Sequence, residues 1–143
     1  MSQPQEWENL RAELSAVVSS AAAFNAYVFD VWGNFWCAAH SYAYVAEEEL
    51  AELIRLIAKM KHVSLTRGAQ LDTAYSNHVS RWHLYAKTYG SCYVLLLRFP
   101  GGFREAETRD AVAAALSRIE ALTLLLPPPD GPGSDGGEAA SSA

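Results

Sequence analysis

Apolar residues recur along this chain with two different periods, and the change of period marks out its elements. From Glu6 onward, Trp7, Leu10, Leu14, Val17, Val18 and Ala21 fall three, four, three, one and three residues apart. That spacing puts them on one face of an amphipathic helix, ending near Phe24-Asn25. Glu6 and Glu8 in its first turn suit the positive end of the helix dipole. The period then shortens. Residues 26–39, AYVFDVWGNFWCAA, hold two runs of aromatic and β-branched residues on either side of Trp32-Gly33-Asn34. Such residues fit a pleated, half-buried surface, and Gly-Asn tolerates positive φ, so the stretch predicts a β-hairpin at the centre of a sheet. Asp30 precedes the break, where its carboxylate can fold back onto turn amides, and Gly33 supplies the turn.

Helical spacing returns over residues 45–61, where Leu50, Leu53, Ile54 and Ile57 point inward and Leu56 and Met60 flank them. Glu47, Glu48 and Glu49 at the start, with Lys59 and Lys61 at the end, match the dipole at both ends. A loop with Arg67-Gly68 follows, then three strand candidates at hairpin spacing. Residues 71–80 alternate in polarity, with Leu71, Thr73, Tyr75 and Val79 on one side, the pattern of an edge strand. Residues 82–89 form the next strand. The run CYVLLLRF, residues 92–99, is nearly all apolar, as a strand covered on both faces should be. The last helix spans 104–126 through Val112, Ala115, Leu116, Ile119, Leu122 and Leu126, and Pro127-Pro128-Pro129 stops it.

The elements predict an α+β (α/β) domain over residues 1–126: a five-stranded antiparallel sheet with three helices, in the order α-β-β-α-β-β-β-α. A strand buried on both faces needs helices on both sides, one on one face and two on the other. Residues 127–143 read as a disordered, Pro/Gly/Ser-rich acidic tail.

Composition narrows the function by exclusion. The chain has 143 residues, half of them hydrophobic, and a formal net charge of −5. An acidic chain without a basic stripe is a poor nucleic-acid binder and a poor ligand for an anionic membrane surface. Part of the negative charge sits in the tail, at Asp130, Asp135 and Glu138, so the body is nearer neutral. The uncharged run over 14–29 follows an acidic leader and is too short to cross a bilayer, which predicts a cytoplasmic protein without a membrane span.

Candidate chemistry is sparse. Cys37 and Cys92 sit in apolar runs, where a free Cys behaves as a small hydrophobe. Cys37-x-x-His40 lacks the second pair that a structural zinc site needs. Use of Cys37 or Cys92 as a hydrolytic nucleophile would require an electropositive, accessible setting that a strand core does not offer. The chain contains neither GxxxxGK[ST] nor GxGxxG, so no cofactor, metal or bound nucleotide is expected. Trp32 and Trp36 at the hairpin tip read either as a lid over a core edge or as an exposed contact patch.

The order of elements resembles the Roadblock/LC7 (dynein light chain, bacterial MglB-like) family, with longin- and profilin-like relatives. The hairpin carries the resemblance: an apolar strand ending in Asp, Val28-Phe29-Asp30, a turn with Gly33, then Phe35-Trp36-Cys37-Ala38. Trp32 and Asn34 depart from the smaller turn residues usual there. The resemblance implies a non-enzymatic homodimer, or heterodimer with a related domain, that regulates or scaffolds a small Ras-like GTPase in a bacterial cytoplasm. It also implies pairing through the third strand and second helix, with Leu71, Thr73, Tyr75, Asn77, Leu53 and Ile57 at the interface. Glu48, Glu52, Arg55 and Lys59 would then face the GTPase. Arg67, beside Gly68 in the loop, reads as a solvated arginine, against the alternative of an arginine finger on the bound GTPase. The alternative is a longin- or profilin-like sensory module holding a small apolar ligand among Trp36, Trp82 and Tyr85.

Overall fold

The computed structural model describes residues 5–40, 47–59, 69–75 and 78–126. Its elements in chain order are α1 (Gln5–Ala21), β1 (Asn25–Asp30), β2 (Phe35–His40), α2 (Glu47–Lys59), β3 (Ala69–Tyr75), β4 (His78–Tyr89), β5 (Tyr93–Phe99) and α3 (Glu105–Leu124). Three helices pack on one antiparallel sheet of strand order β2-β1-β5-β4-β3. Strands β1, β2, β4 and β5 carry its described side chains.

Alternation along each strand sends successive side chains to opposite faces, so the sheet separates two cores. Under α1 and α3 lie Ala26, Val28, Cys37, Tyr85, Tyr89, Leu95, Leu97 and Phe99, met by Leu10, Leu14, Val17, Val112, Ala115 and Ile119. Under α2 lie Tyr27, Phe29, Trp82, Leu84, Ala86, Val94 and Leu96, met by Leu53, Ile54 and Ile57. β5 therefore has Val94 and Leu96 under one layer and Leu95 and Leu97 under the other, all buried. Its apolar run follows from a place inside the sheet, between β1 and β4. Burying a side chain of this size contributes about 1.5–3 kcal/mol. A polar group closes one end of the α2 layer. Arg98 donates to Asn25 Oδ1 at 3.2 Å and lies 4.8 Å from the Trp82 ring centroid.

Several expectations change at this level. The hairpin of β1 and β2 is not central: β1 is interior, but β2 is an edge strand. Apolar content alone does not separate the two positions, because α1 covers one face of β2 and gives an edge strand the composition of an inner one. The single strand expected over 71–80 is two. β3 ends at Tyr75 and β4 begins at His78, with Tyr75 opposite His78 in register. Polar alternation continues across both strands, so the sequence period is blind to the reversal between them. The second helix spans Glu47–Lys59 within the expected 45–61.

Leu53 and Ile57 are the principal correction. Both are fully buried against the chain's own sheet, so neither offers surface to a second copy. The proposed apolar-ligand lining also fails. Trp82 lies in the α2 core, whereas Tyr85 and Trp36 pack into the α1/α3 core, so the sheet stands between them. An odd spacing along one strand makes that separation unavoidable.

Candidate functional site

The hairpin tip is held by one carboxylate. Asp30 ends β1, and its Oδ1 accepts from the backbone amides of Trp32 at 3.0 Å and Asn34 at 2.9 Å. Its Oδ2 accepts from Asn34 Nδ2 at 3.1 Å and Trp36 Nε1 at 3.0 Å. Gly33 has φ 92°, a conformation that a Cβ disfavours, and its amide donates to the Asp30 carbonyl at 2.9 Å. Asp30 and Gly33 thus do in the fold what the sequence expects of them. The amide of Val31 donates to the Cys92 carbonyl at 2.9 Å, tying the tip to the β4–β5 turn.

A bulge sorts the tip aromatics. Val28 pairs with Cys37 but Phe29 pairs with Phe35, which leaves Trp36 as the extra residue. Trp36 turns into the α1/α3 layer, edge-on to Tyr93 at 5.2 Å and 6.3 Å from Trp7. Trp32 and Phe35 stay outside, 72% and 42% exposed. The two readings of the tryptophans therefore divide between them: Trp36 is the core lid and Trp32 the exposed patch.

Beside that patch runs a groove of about 500 Å³, lined by Val31, Trp32, Gly33 and Phe35 from the tip and Ala51, Ile54 and Arg55 from α2. Arg55 pairs with Glu52 one turn earlier. Glu48 is exposed further toward the start of the helix. The fold thus brings Arg55 to the tip with Glu52 attached, and leaves Glu48 on the open surface. Lys59 ends α2. The sequence reading missed Phe35, Ala51 and Ile54 as residues that line one groove with Trp32. Its available signal was the adjacent pair Phe35-Trp36, since two neighbouring aromatics in a strand cannot share a face.

Leu71, Thr73 and Tyr75 are placed along β3, at one edge of the sheet, opposite Trp82, Ser80 and His78. Asn77, Arg67 and the tail lie outside the described residues. Cys37 is buried, and burial pushes its thiol up from its ordinary value, which makes it a poor nucleophile. Cys92 sits just before β5, half-buried. Among the described residues no group of three or more His, Cys, Asp or Glu is placed to hold a metal ion, and no helix is long and apolar enough to cross a membrane.

No family model matches the chain, and no curated protein does. Solved structures do. The gliding protein MglB of Thermus thermophilus aligns at a TM-score of 0.65 with 13% identity, over 88% of this chain and 96% of that one. Myxococcus xanthus MglB aligns at 0.62 with 17% identity, over 91% and 99%. An MglB in a tetrameric arrangement aligns at 0.63 with 14% identity, over 85% and 93%. At such identities what is shared is the arrangement of the chain in space: this protein has the Roadblock/LC7-like fold of the MglB gliding proteins.

Proposed function

We propose that the chain is a non-enzymatic regulator or scaffold that dimerises and docks a small Ras-like GTPase. The observation that carries the reading is the MglB-like fold together with its edge strand β3. An edge strand presents a row of backbone groups able to pair with another chain. Antiparallel pairing of β3 with its twin about a two-fold axis would continue the sheet through both copies. Leu71, Thr73 and Tyr75 would take part in that pairing, with Asn77 just beyond them in the chain. The solved MglB in a tetrameric arrangement is in keeping with self-association in this fold.

The GTPase surface follows from α2 and the hairpin tip. Trp32 is the kind of large exposed side chain that dominates interface energetics when a partner covers it. Arg55 and Glu52 give that apolar groove a polar rim, with Glu48 and Lys59 along the same helix. Any effect on GTP hydrolysis would come from positioning the GTPase's own groups. The setting proposed is a bacterial cytoplasm.

Light scattering tests the first half and should give the mass of a dimer. Tyr75 and His78 close the β3–β4 connection as an opposed pair. If they form a hydrogen-bonded pair, antiparallel alternation directs the amides of Asp72 and Ala74 outward. Ala74→Pro should therefore yield a folded monomer, with its circular dichroism intact. A wild-type chain that stays monomeric at high concentration would overturn the reading. For the second half, a Ras-like GTPase encoded beside this chain should bind it in the GTP-analogue state, and Trp32→Ala with Arg55→Glu should abolish binding.

A further inference from the structure

The face opposite α2 carries a second groove, and its chemistry differs. Along β4, positions 81, 83, 85, 87 and 89 share the face that α1 and α3 cover. Tyr85 and Tyr89 are buried there, but Arg81 and Lys87 are exposed and His83 is half-buried. α3 therefore shields only part of β4. Between them lies a groove of about 320 Å³, lined by Tyr85 and Lys87 from the strand and Arg109, Val112, Ala113 and Leu116 from the helix.

The groove pairs an apolar floor with a cation on either wall. Val112, Ala113, Leu116 and the Tyr85 ring make the floor. Lys87 stands on the sheet side and Arg109 on the helix side, where its positive charge acts on the Tyr85 hydroxyl. Lys87 and Arg109 are both exposed, so their charges are open to a partner. Glu105, one turn before Arg109, is the acid acting on Tyr85 from the helix. On a chain of net charge −5, two cations flanking an apolar trough set this surface apart from its surroundings.

We propose that the α3–β4 groove docks an acidic segment of a partner protein. Apolar side chains of the segment rest on Val112, Ala113 and Leu116, and its carboxylates pair with Lys87 and Arg109. Charge complementarity selects this occupant: a basic segment would meet both cations, and a purely apolar one would leave them without counter-charges. The groove lies across the sheet from Trp32 and α2, so both surfaces can be occupied at once.

The test is a fluorescence-anisotropy titration of the full chain with a labelled peptide of repeated Leu-Asp-Glu. Two control peptides replace Leu by Ser, or Asp and Glu by Lys. The Leu-Asp-Glu peptide should bind, and both controls should bind about tenfold more weakly or not at all. Binding should weaken between about 0.05 and 0.5 M salt, as screening shortens the reach of the rim charges. Lys87→Glu with Arg109→Glu, verified as folded by circular dichroism, should lose it. Trp32→Ala should leave it unchanged, which separates failure here from failure of GTPase docking. No binding, equal binding to the double variant, or equal binding of the Ser control would overturn the proposal. Binding that emerges only after removal of residues 127–143 would also overturn it, by making the chain's own acidic end the occupant.

Discussion

The indole Nε1 of Trp36 donates to Oδ2 of Asp30 at 3.0 Å, across six residues of chain. The same carboxylate accepts from two backbone amides and the Asn34 side chain, so a single group sets both the turn and the direction of the tryptophan beyond it. With Trp36 drawn inward, Trp32 and Phe35 remain the exposed aromatics of the tip. The exposed patch and the core lid have one common cause.

Asp30→Ala should lower unfolding free energy by about 2–4 kcal/mol, since it removes the acceptor of four donors at a part-buried site. Asp30→Asn should lose roughly half as much, because an amide oxygen serves either the two backbone amides or the Asn34 and Trp36 side chains, not both. Urea titration of the two variants measures the difference. An Asn variant as stable as the wild type would show that the second carboxylate oxygen adds nothing.

The two tip tryptophans should separate cleanly by mutation. Trp32→Ala, at a largely solvated position, should change stability by less than about 0.5 kcal/mol while weakening GTPase docking about tenfold or more. Trp36→Ala opens the contact with Tyr93 and Trp7 and should cost about 3 kcal/mol. Stability curves and a binding titration on both variants check the pair.

Ile57→Ala tests whether α2 is core or interface at that position. Full burial under the sheet predicts a loss of about 2–4 kcal/mol in unfolding free energy, with the self-association of the folded fraction unchanged. A residue at the contact between copies would give the reverse, a weakened dimer with an intact fold. Sedimentation and denaturation on one preparation distinguish them.

Alkaline pH should destabilise the fold through its buried tyrosines. Burial raises the hydroxyls of Tyr27 and Tyr89 above the ordinary value of 10.0. The Thr123 hydroxyl donates to the Ile119 carbonyl, so within this network Tyr89 is the donor to Thr123 at 2.9 Å. With the folded value raised, this stability is complete below pH about 10, and is lost as unfolded tyrosines ionise while folded ones stay neutral. Each should contribute a fall of about 1.4 kcal/mol per pH unit until the folded hydroxyl also ionises. Tyr27→Phe should remove its share of the slope, which thermal melts between neutral and strongly alkaline pH would show.

The elements were legible because each one's signal is local. Leu10, Leu14, Val17 and Val18 face inward along α1 at the spacing read from the chain, and Val112, Ala115 and Ile119 do so along α3. Asp30 and Gly33 were legible for the same reason, since a turn is decided within a few residues. The groove beside Trp32 was not legible. It joins residues 31–35 to residues 51–55 through a helix crossing that no short window contains. The fate of Leu53 and Ile57 had the same obstacle: an apolar helix stripe looks alike whether a sheet or a second copy covers it.

The sequence by itself determined the kinds of element, their order and the inward stripe of each helix. It also determined the Asp–Gly turn at the hairpin tip. These rest on backbone sterics and side-chain spacing over a few residues, which hold wherever the segment is placed. Only the tertiary structure decided that β2 is an edge, that the bulge sends Trp36 in and leaves Trp32 out, and that Trp82 and Tyr85 belong to separate cores. Those outcomes depend on which distant strands pair and in what register, and pairing energy is a property of two segments together.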